Sequence, residues 1–279
     1  MASGNPAMRS ESASVRCNPQ EVAAEISMQS AAGTKILIAS PTYDGTVRRE
    51  YMRSVMQLTK ALRQRSIGWE LLLEPATLLH TMRSVMASLV LEETQYSHLL
   101  FVDTDLDFQP ASVLKMLDAE REVIGCAYPY RTIPLHETVG IADRTLRQVI
   151  AAKVPYAVTL ADGTTKLDIV KGICEVASVG TGLLLIRRSA LQALAASGRI
   201  SRFLATFPYS QWYPHSHYHG FFSHLQADGC DYGEDYSFCR RWRELCEGRI
   251  HALVADEVGH IGPLPVLGRY LERLQSGQV

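Results

Sequence analysis

The chain has 279 residues, 47% of them hydrophobic and 20% charged, with a formal net charge of -1. That is the balance of a globular protein with a sizeable core, and it excludes a global electrostatic pull toward nucleic acid or an anionic membrane. No apolar run approaches the ~18 residues of a membrane span, and the opening stretch lacks the ~7–15-residue apolar core of an export signal.

Residues 1–33 are expected to form a flexible tail, in which "PQEVAAEISMQ" has the makings of a short helix. Residues 34–279 are expected to form one domain. "KILIAS" (Lys35–Ser40), closed by the turn signal "PTYDG", reads as a buried strand. Val47, Tyr51, Val55, Leu58 and Leu62 then recur at helical spacing. "WELLLE" is a second strand, and Leu79, Met82, Val85, Met86, Leu89 and Val90 mark a second helix. "HLLFV" is the third strand, "PASVLKMLDA" a helix with proline in its first turn, and "EVIGCAYPYR" the fourth strand. Strands alternating with helices predict parallel βαβ units, hence an α/β fold with a mainly parallel central sheet flanked by helices.

The rhythm breaks after residue 131. Thr132–Lys171 is mixed, with "LADGTTK" resembling a hairpin turn. "CEVASVGTGLLLIRRSAL" reads as strand, glycine-marked bend, strand and helix start. Phe203–Asp231 is rich in aromatics and histidines, "EDYSFCRRWRELCEG" is a helix, "IHALVA" a strand and "LGRYLERLQ" a closing helix. The six cysteines (Cys17, Cys126, Cys174, Cys230, Cys239, Cys246) form no CxxC pair and are expected as reduced thiols in a cytoplasmic protein.

The segment "HLLFVDTDLDFQP" runs an apolar strand into Asp103, Asp105 and Asp107. Carboxylates at the mouth of a buried strand need a cationic partner, and ligands of open α/β sheets bind at the carboxyl ends of strands. Oxygen ligands on a short turn suit Mg²⁺ or Mn²⁺ shared with substrate phosphates. The plainer reading is a solvated turn whose acids cap the helix at Pro110, the role expected of Asp107.

Taken in order, "ILIASPTYDG", "LLFVDTDLDF", "VGTGLLLIRRSAL", "YGEDYSFCRRW" and "VGHIG" resemble nucleotide-sugar glycosyltransferases of the A-type (GT-A) fold, close to a family-two-like group of bacteria and phages. The resemblance spans Thr34 to Leu274 and makes residues 34–131 the nucleotide-binding half and 132–279 the acceptor half. It implies a divalent cation, Mn²⁺ or Mg²⁺, held chiefly by Asp105, with Asp103 near the ribose or a metal-bound water and Thr104 between them. It implies a nucleotide-sugar donor, a UDP-sugar first among the candidates. Its base would seat on Pro41, Thr42, Tyr43 and Asp44, beside Ser40; the alternative there is an ordinary turn capped by Asp44 or Thr46. Arg83 matches a residue that reaches the diphosphate, although Ser84 stands where the family has Asn, and a solvated helix arginine is the rival reading. Gly180, Thr181 and Gly182 would lie beside donor sugar and acceptor, or form a simple β-bulge.

The same resemblance makes Asp235 the base that takes the acceptor proton and Glu234 its orienting neighbour, whereas the helix dipole alone would favour both acids at a helix start. Arg240 and Arg241 would be partners of these acids or surface charges. His260 would complete the metal shell or contact the diphosphate; the alternative is a structural histidine. His215, His217 and His219 alternate and would suit zinc if extended, but an aromatic-histidine loop is expected to be an acceptor lid. The acceptor stays open among a glycan, a lipid carrier, a peptide and a modified nucleobase. The "GED" segment points to inversion and a histidine like His260 to retention. Two rival functions are a nucleotidyltransferase, which normally carries a glycine- and basic-rich phosphate loop, and a non-catalytic nucleotide- or glycan-binding relative. Oligomeric state is not readable from the sequence.

Overall fold

Every residue of the first strand after its opening lysine is buried, which is what a strand covered on both faces requires. In this computed structural model, residues 33–132, 145–161, 164, 167–263 and 266–276 are described. The expected tail lies outside them, Gly33 apart, as do Cys17 and much of the "LADGTTK" turn. The main elements are β1 (Lys35–Thr42), α1 (Arg49–Gln64), β2 (Gly68–Pro75), α2 (Leu79–Glu92), β3 (His98–Val102), α3 (Pro110–Asp118) and β4 (Val123–Cys126). They continue with α4 (Leu146–Lys153), β5 (Ile173–Val176), β6 (Leu183–Arg187), α5 (Arg188–Ala196), α6 (Glu234–Cys246), β7 (Ile250–Leu253) and α7 (Tyr270–Gln275).

These seven strands form one sheet in the order β2-β1-β3-β6-β4-β7-β5. β1 runs parallel to β2 and β3, and β4 runs parallel to β7. β6 lies antiparallel between β3 and β4, and β5 is antiparallel on the β7 edge. Five strands therefore share one direction. Alternation along β1 feeds two cores: Leu37 and Ala39 pack with Met82, Val90 and Phe101 on one face, while Ile36 and Ile38 pack with Tyr51, Val55, Leu58 and Leu62 on the other. The α1 stripe expected from the sequence is thus the buried face of that helix. The result is a single α/β domain with a mainly parallel central sheet flanked by helices, the fold class expected.

Two local features set up the site. The carboxyl ends of β1, β3, β4 and β7 lie on one edge of the sheet, and the antiparallel β6 begins at that edge, with Leu183 opposite Val102. Beyond it, residues 106–107, 258–260 and 266–268 form a small antiparallel sheet in which His260 sits opposite Leu106. Among the described residues no helix is long and apolar enough to cross a membrane, and the five described cysteines are free thiols.

Candidate functional site

The chain turns sharply after β3, with Leu106 N–H donating to the Asp103 carbonyl at 3.2 Å. That turn sends the two acids of "DTD" to different partners. Asp103 Oδ1 accepts from Arg83 Nη2 at 2.9 Å, and its backbone N–H donates to the Gly182 carbonyl at 2.8 Å. Arg83 is only 2% exposed, so it is neither a solvated helix arginine nor free to swing into a cleft. It lies in a helix buried almost all round. Its Nη1 donates to the Thr181 carbonyl at 3.3 Å, and its Nε lies 3.9 Å from Glu234 Oε1 without a hydrogen bond of its own. Burial opposes its charge, but Asp103, Asp235 and Glu234 outweigh it and raise its pKa.

Asp235 joins this cluster through Thr181, whose buried hydroxyl donates to Asp235 Oδ1 at 2.5 Å. The residue is half-buried, and its carboxyl is hemmed in by protein. Burial raises its pKa to about 6, with Glu234 and Asp103 adding to the rise and Arg83 and the Thr181 hydroxyl opposing it. A carboxylate poised there is ionised at neutral pH and still basic enough to accept a proton. Glu234 and Asp235 occupy the first turn of α6, where the helix dipole also favours them.

Asp105 points the other way. Its Oδ2 is 3.1 Å from Arg131 Nη1 and 3.3 Å from His260 Nε2. His260 Nδ1 lies 2.9 Å from the Pro129 carbonyl; a carbonyl can only accept, so the ring proton sits on Nδ1. Nε2 faces the Asp105 carboxylate, which it meets as a donor when it too carries a proton and as a bare lone pair, with room for a shared cation, when it does not. A backbone carbonyl fixing the far nitrogen is also the usual support of a metal-bound histidine. Burial works against the Asp105 charge, but the His260 hydrogen bond and charge, with Arg131, outweigh it and hold its pKa below the ordinary carboxylate value. Asp105 and His260 thus fit a divalent cation as a pair. Among the described residues, no group of three or more His, Cys, Asp or Glu side chains is arranged to hold one, so Asp103 is not brought to them.

An open cleft beside Asp105 is lined by Tyr43, Asp44, Thr46, Arg48 and Thr104. Tyr43 is 85% exposed. Asp44 Oδ1 accepts from Thr46 N–H at 3.0 Å and from its hydroxyl at 2.6 Å, which lowers the Asp44 pKa and orders the loop. Thr42 is buried and accepts from Gly45 N–H at 2.9 Å. Pro41 is buried too, and Ser40 is buried under the Tyr51 hydroxyl. Of the residues expected to meet a base, Tyr43 and Asp44 reach the cleft, while Ser40, Pro41 and Thr42 support it from beneath.

Three expectations are corrected. Asp107 does not cap α3: Gln109 holds the N-cap position without a side-chain cap, and Asp107 bonds Arg53 at 2.7 Å and the Ser54 hydroxyl at 3.1 Å. The three loop histidines do not share one environment. His215 meets Glu93 at 3.1 Å, His217 meets Ser216 at 3.0 Å, and His219 stacks on Phe221. Their hairpin, residues 202–204 with 217–219, is fastened to α2 where Ser88 accepts from His219 N–H and Ser84 from Phe222 N–H. Arg241 is not a surface charge, since it donates to the Phe221 and Ser223 carbonyls.

Gly180 and Gly182 serve Tyr128. A Cβ at Gly180 would sit 2.4 Å from the Tyr128 hydroxyl, and one at Gly182 would sit 2.7 Å from the ring. That hydroxyl in turn accepts from Gly182 N–H at 3.1 Å. Sequence reasoning missed Tyr128, Arg131 and Arg48. Both Tyr128 and Arg131 come just after β4, whose carboxyl end shares the edge with β3.

No protein-family model matches the chain, and no curated protein sequence matches it. Among solved structures, it is similar to the crystal structure of A197 from STIV, at 17% identity and a TM-score of 0.46, covering 85% of this chain and 95% of that one. It is also similar to the crystal structure of a glycosyltransferase involved in the glycosylation of the major capsid of PBCV-1. There the identity is 11% and the TM-score 0.28, with 63% of this chain and 71% of that one covered. Both likenesses are distant.

Proposed function

We propose that the chain is a glycosyltransferase that moves a sugar from a nucleotide-sugar, a UDP-sugar first among the candidates, to an acceptor hydroxyl. The observation that carries this reading is the split of the two DTD acids at one sheet edge. Asp105 borders the open cleft with the buried His260 behind it, and Asp103 is locked to Arg83 beside the poised Asp235.

In this reading Asp105 and His260 hold Mn²⁺ or Mg²⁺, which when bound neutralises charge developing on the diphosphate leaving group. Tyr43 offers its exposed ring to the base, and Asp44, with the turn it orders, borders the ribose side of the cleft together with Thr104. Arg131 adds a guanidinium on the same side as Asp105. Asp235 accepts the acceptor proton, and the Thr181 hydroxyl keeps its carboxylate aimed. Arg83 acts from inside, holding Asp103, Thr181 and the α6 acids in one arrangement; the diphosphate contact expected of it from the family resemblance is not part of this mechanism.

Calorimetric titration with UDP, GDP and dTDP, each with and without Mn²⁺, tests the reading. One nucleotide should bind in a Mn²⁺-dependent way, and Asp105→Ala should abolish that dependence in a folded protein, because the side chain sits at a strand end, outside the cores. Unchanged Mn²⁺-dependent affinity in the variant would remove Asp105 from the site.

A further inference from the structure

Consecutive helix residues point about 100° apart, and Asp235 and Tyr236 use that divergence. Asp235 turns inward to Thr181, whereas Tyr236 is 38% exposed and its hydroxyl lies 2.8 Å from Thr159 Oγ1. Tyr236 borders a second open cleft, lined also by Thr159, Ser178, Tyr232, Arg240 and Arg243. We propose that this cleft binds the acceptor and that the acceptor is a saccharide, an inference that rests on the glycosyl-transfer reading above.

The chemistry of the lining argues against two of the acceptor classes, nucleic acid and lipid. Arg240 is held by Asp228 at 2.8 Å and Glu244 at 2.6 Å and lies over the Tyr232 ring, 5.2 Å from its centroid. With Arg243, the described lining holds two guanidiniums and two carboxylates, which together carry no net charge. A nucleic acid would call for surplus cations along its phosphates. A lipid chain would call for a contiguous apolar wall, and among the described residues the apolar lining is only Leu160, Ala161 and Ala177. Hydroxyls, paired charges and tyrosine rings remain, a set of interleaved donors, acceptors and flat faces that matches the hydroxyl edges and C–H faces of a sugar. Position agrees with chemistry. Tyr130, 40% exposed, approaches Tyr236, while its neighbour Arg131 bonds Asp105. The segment after β4 therefore links Tyr236, which lines the second cleft, to Asp105, which lines the first.

Ligand-observed saturation-transfer NMR tests this with the methyl glycosides of glucose, galactose, mannose and N-acetylglucosamine, and separately with UDP plus Mn²⁺. At least one glycoside should receive saturation from the wild-type protein, and that transfer should fall at least several-fold in both Tyr236→Ala and Arg243→Gln. Both positions are surface-exposed, so the variants should fold, and UDP binding with Mn²⁺ should persist in them. Glycoside signals unchanged in both variants, or absent from a protein that binds UDP with Mn²⁺, would overturn the cleft assignment alone. A protein that binds no glycoside and none of UDP, GDP and dTDP with Mn²⁺ would overturn the donor reading and this inference with it.

Discussion

Replacing Asp235 by Asn deletes a charge but keeps an oxygen for the Thr181 hydroxyl, so the variant isolates what that charge does to the fold. Burial, then Glu234 and Asp103, lift the Asp235 pKa from 3.8 to about 6 against the pull of Arg83 and the Thr181 hydroxyl. The folded protein therefore holds this proton more tightly than the unfolded chain does. Stability from this group is fully present below pH 3.8 and is lost as pH rises through about 6. At ~1.36 kcal/mol per pH unit, ionising Asp235 costs about 3 kcal/mol above that window. Asp235→Asn escapes the cost. Its stability relative to wild type should rise between pH 4.5 and pH 8 by about 2 kcal/mol, the first ~1 kcal/mol having gone by pH 4.5, or ~4–8 °C in melting temperature for a chain of this size. Asp105, with its lowered pKa, adds the opposite slope to both proteins and cancels in the difference. Calorimetric melts at the two pH values read the quantity directly. A difference that stays constant with pH would show that Asp235 is not desolvated, and the case for a poised base would fall. If the base assignment holds, the same variant should lose ~10²–10⁴-fold in transfer rate at saturating substrates.

The buried network sets two more outcomes. Arg83→Met leaves Asp103, Glu234 and Asp235 without their shared cation and should cost about 3–5 kcal/mol; an unchanged urea midpoint would mean the guanidinium is not their counter-ion. Ser54→Ala strips Phe108 N–H of its acceptor at 3.0 Å and Asp107 of a donor at 3.1 Å, which should cost about 1–3 kcal/mol, and a loss below a few tenths in the same denaturation would refute that link between α1 and the acidic turn.

Features encoded over a few neighbouring residues were legible in the sequence. The α1 stripe of Tyr51, Val55, Leu58 and Leu62 and the continuous apolar run of β1 arise from local periodicity, and both are buried as expected. The acidic strand end was legible too, since an apolar run meeting alternate acids is a local pattern. Partnership was not. Arg83, Arg131 and His260 come from distant parts of the chain, and nothing in the "DTD" spacing says which acid each will meet. Glycines in "VGTG" announced a close approach without naming its partner, which is Tyr128. Tyr128 and Arg131 could have been found by inspecting the residues just past each strand parallel to β3, because such strands end on the same edge. The two acids themselves carry the deeper reason. In an extended strand, residues two apart share a face, and Asp103 and Asp105 would have faced one ligand together. The turn closed by Leu106 N–H on the Asp103 carbonyl breaks that alternation. It gives one carboxylate to the interior, where it neutralises a buried arginine beside Asp235, and the other to the cleft, where it faces His260. On the proposed reading the site binds a cation and keeps a base nearby, which needs the acids apart, and a single tight turn after β3 separates them.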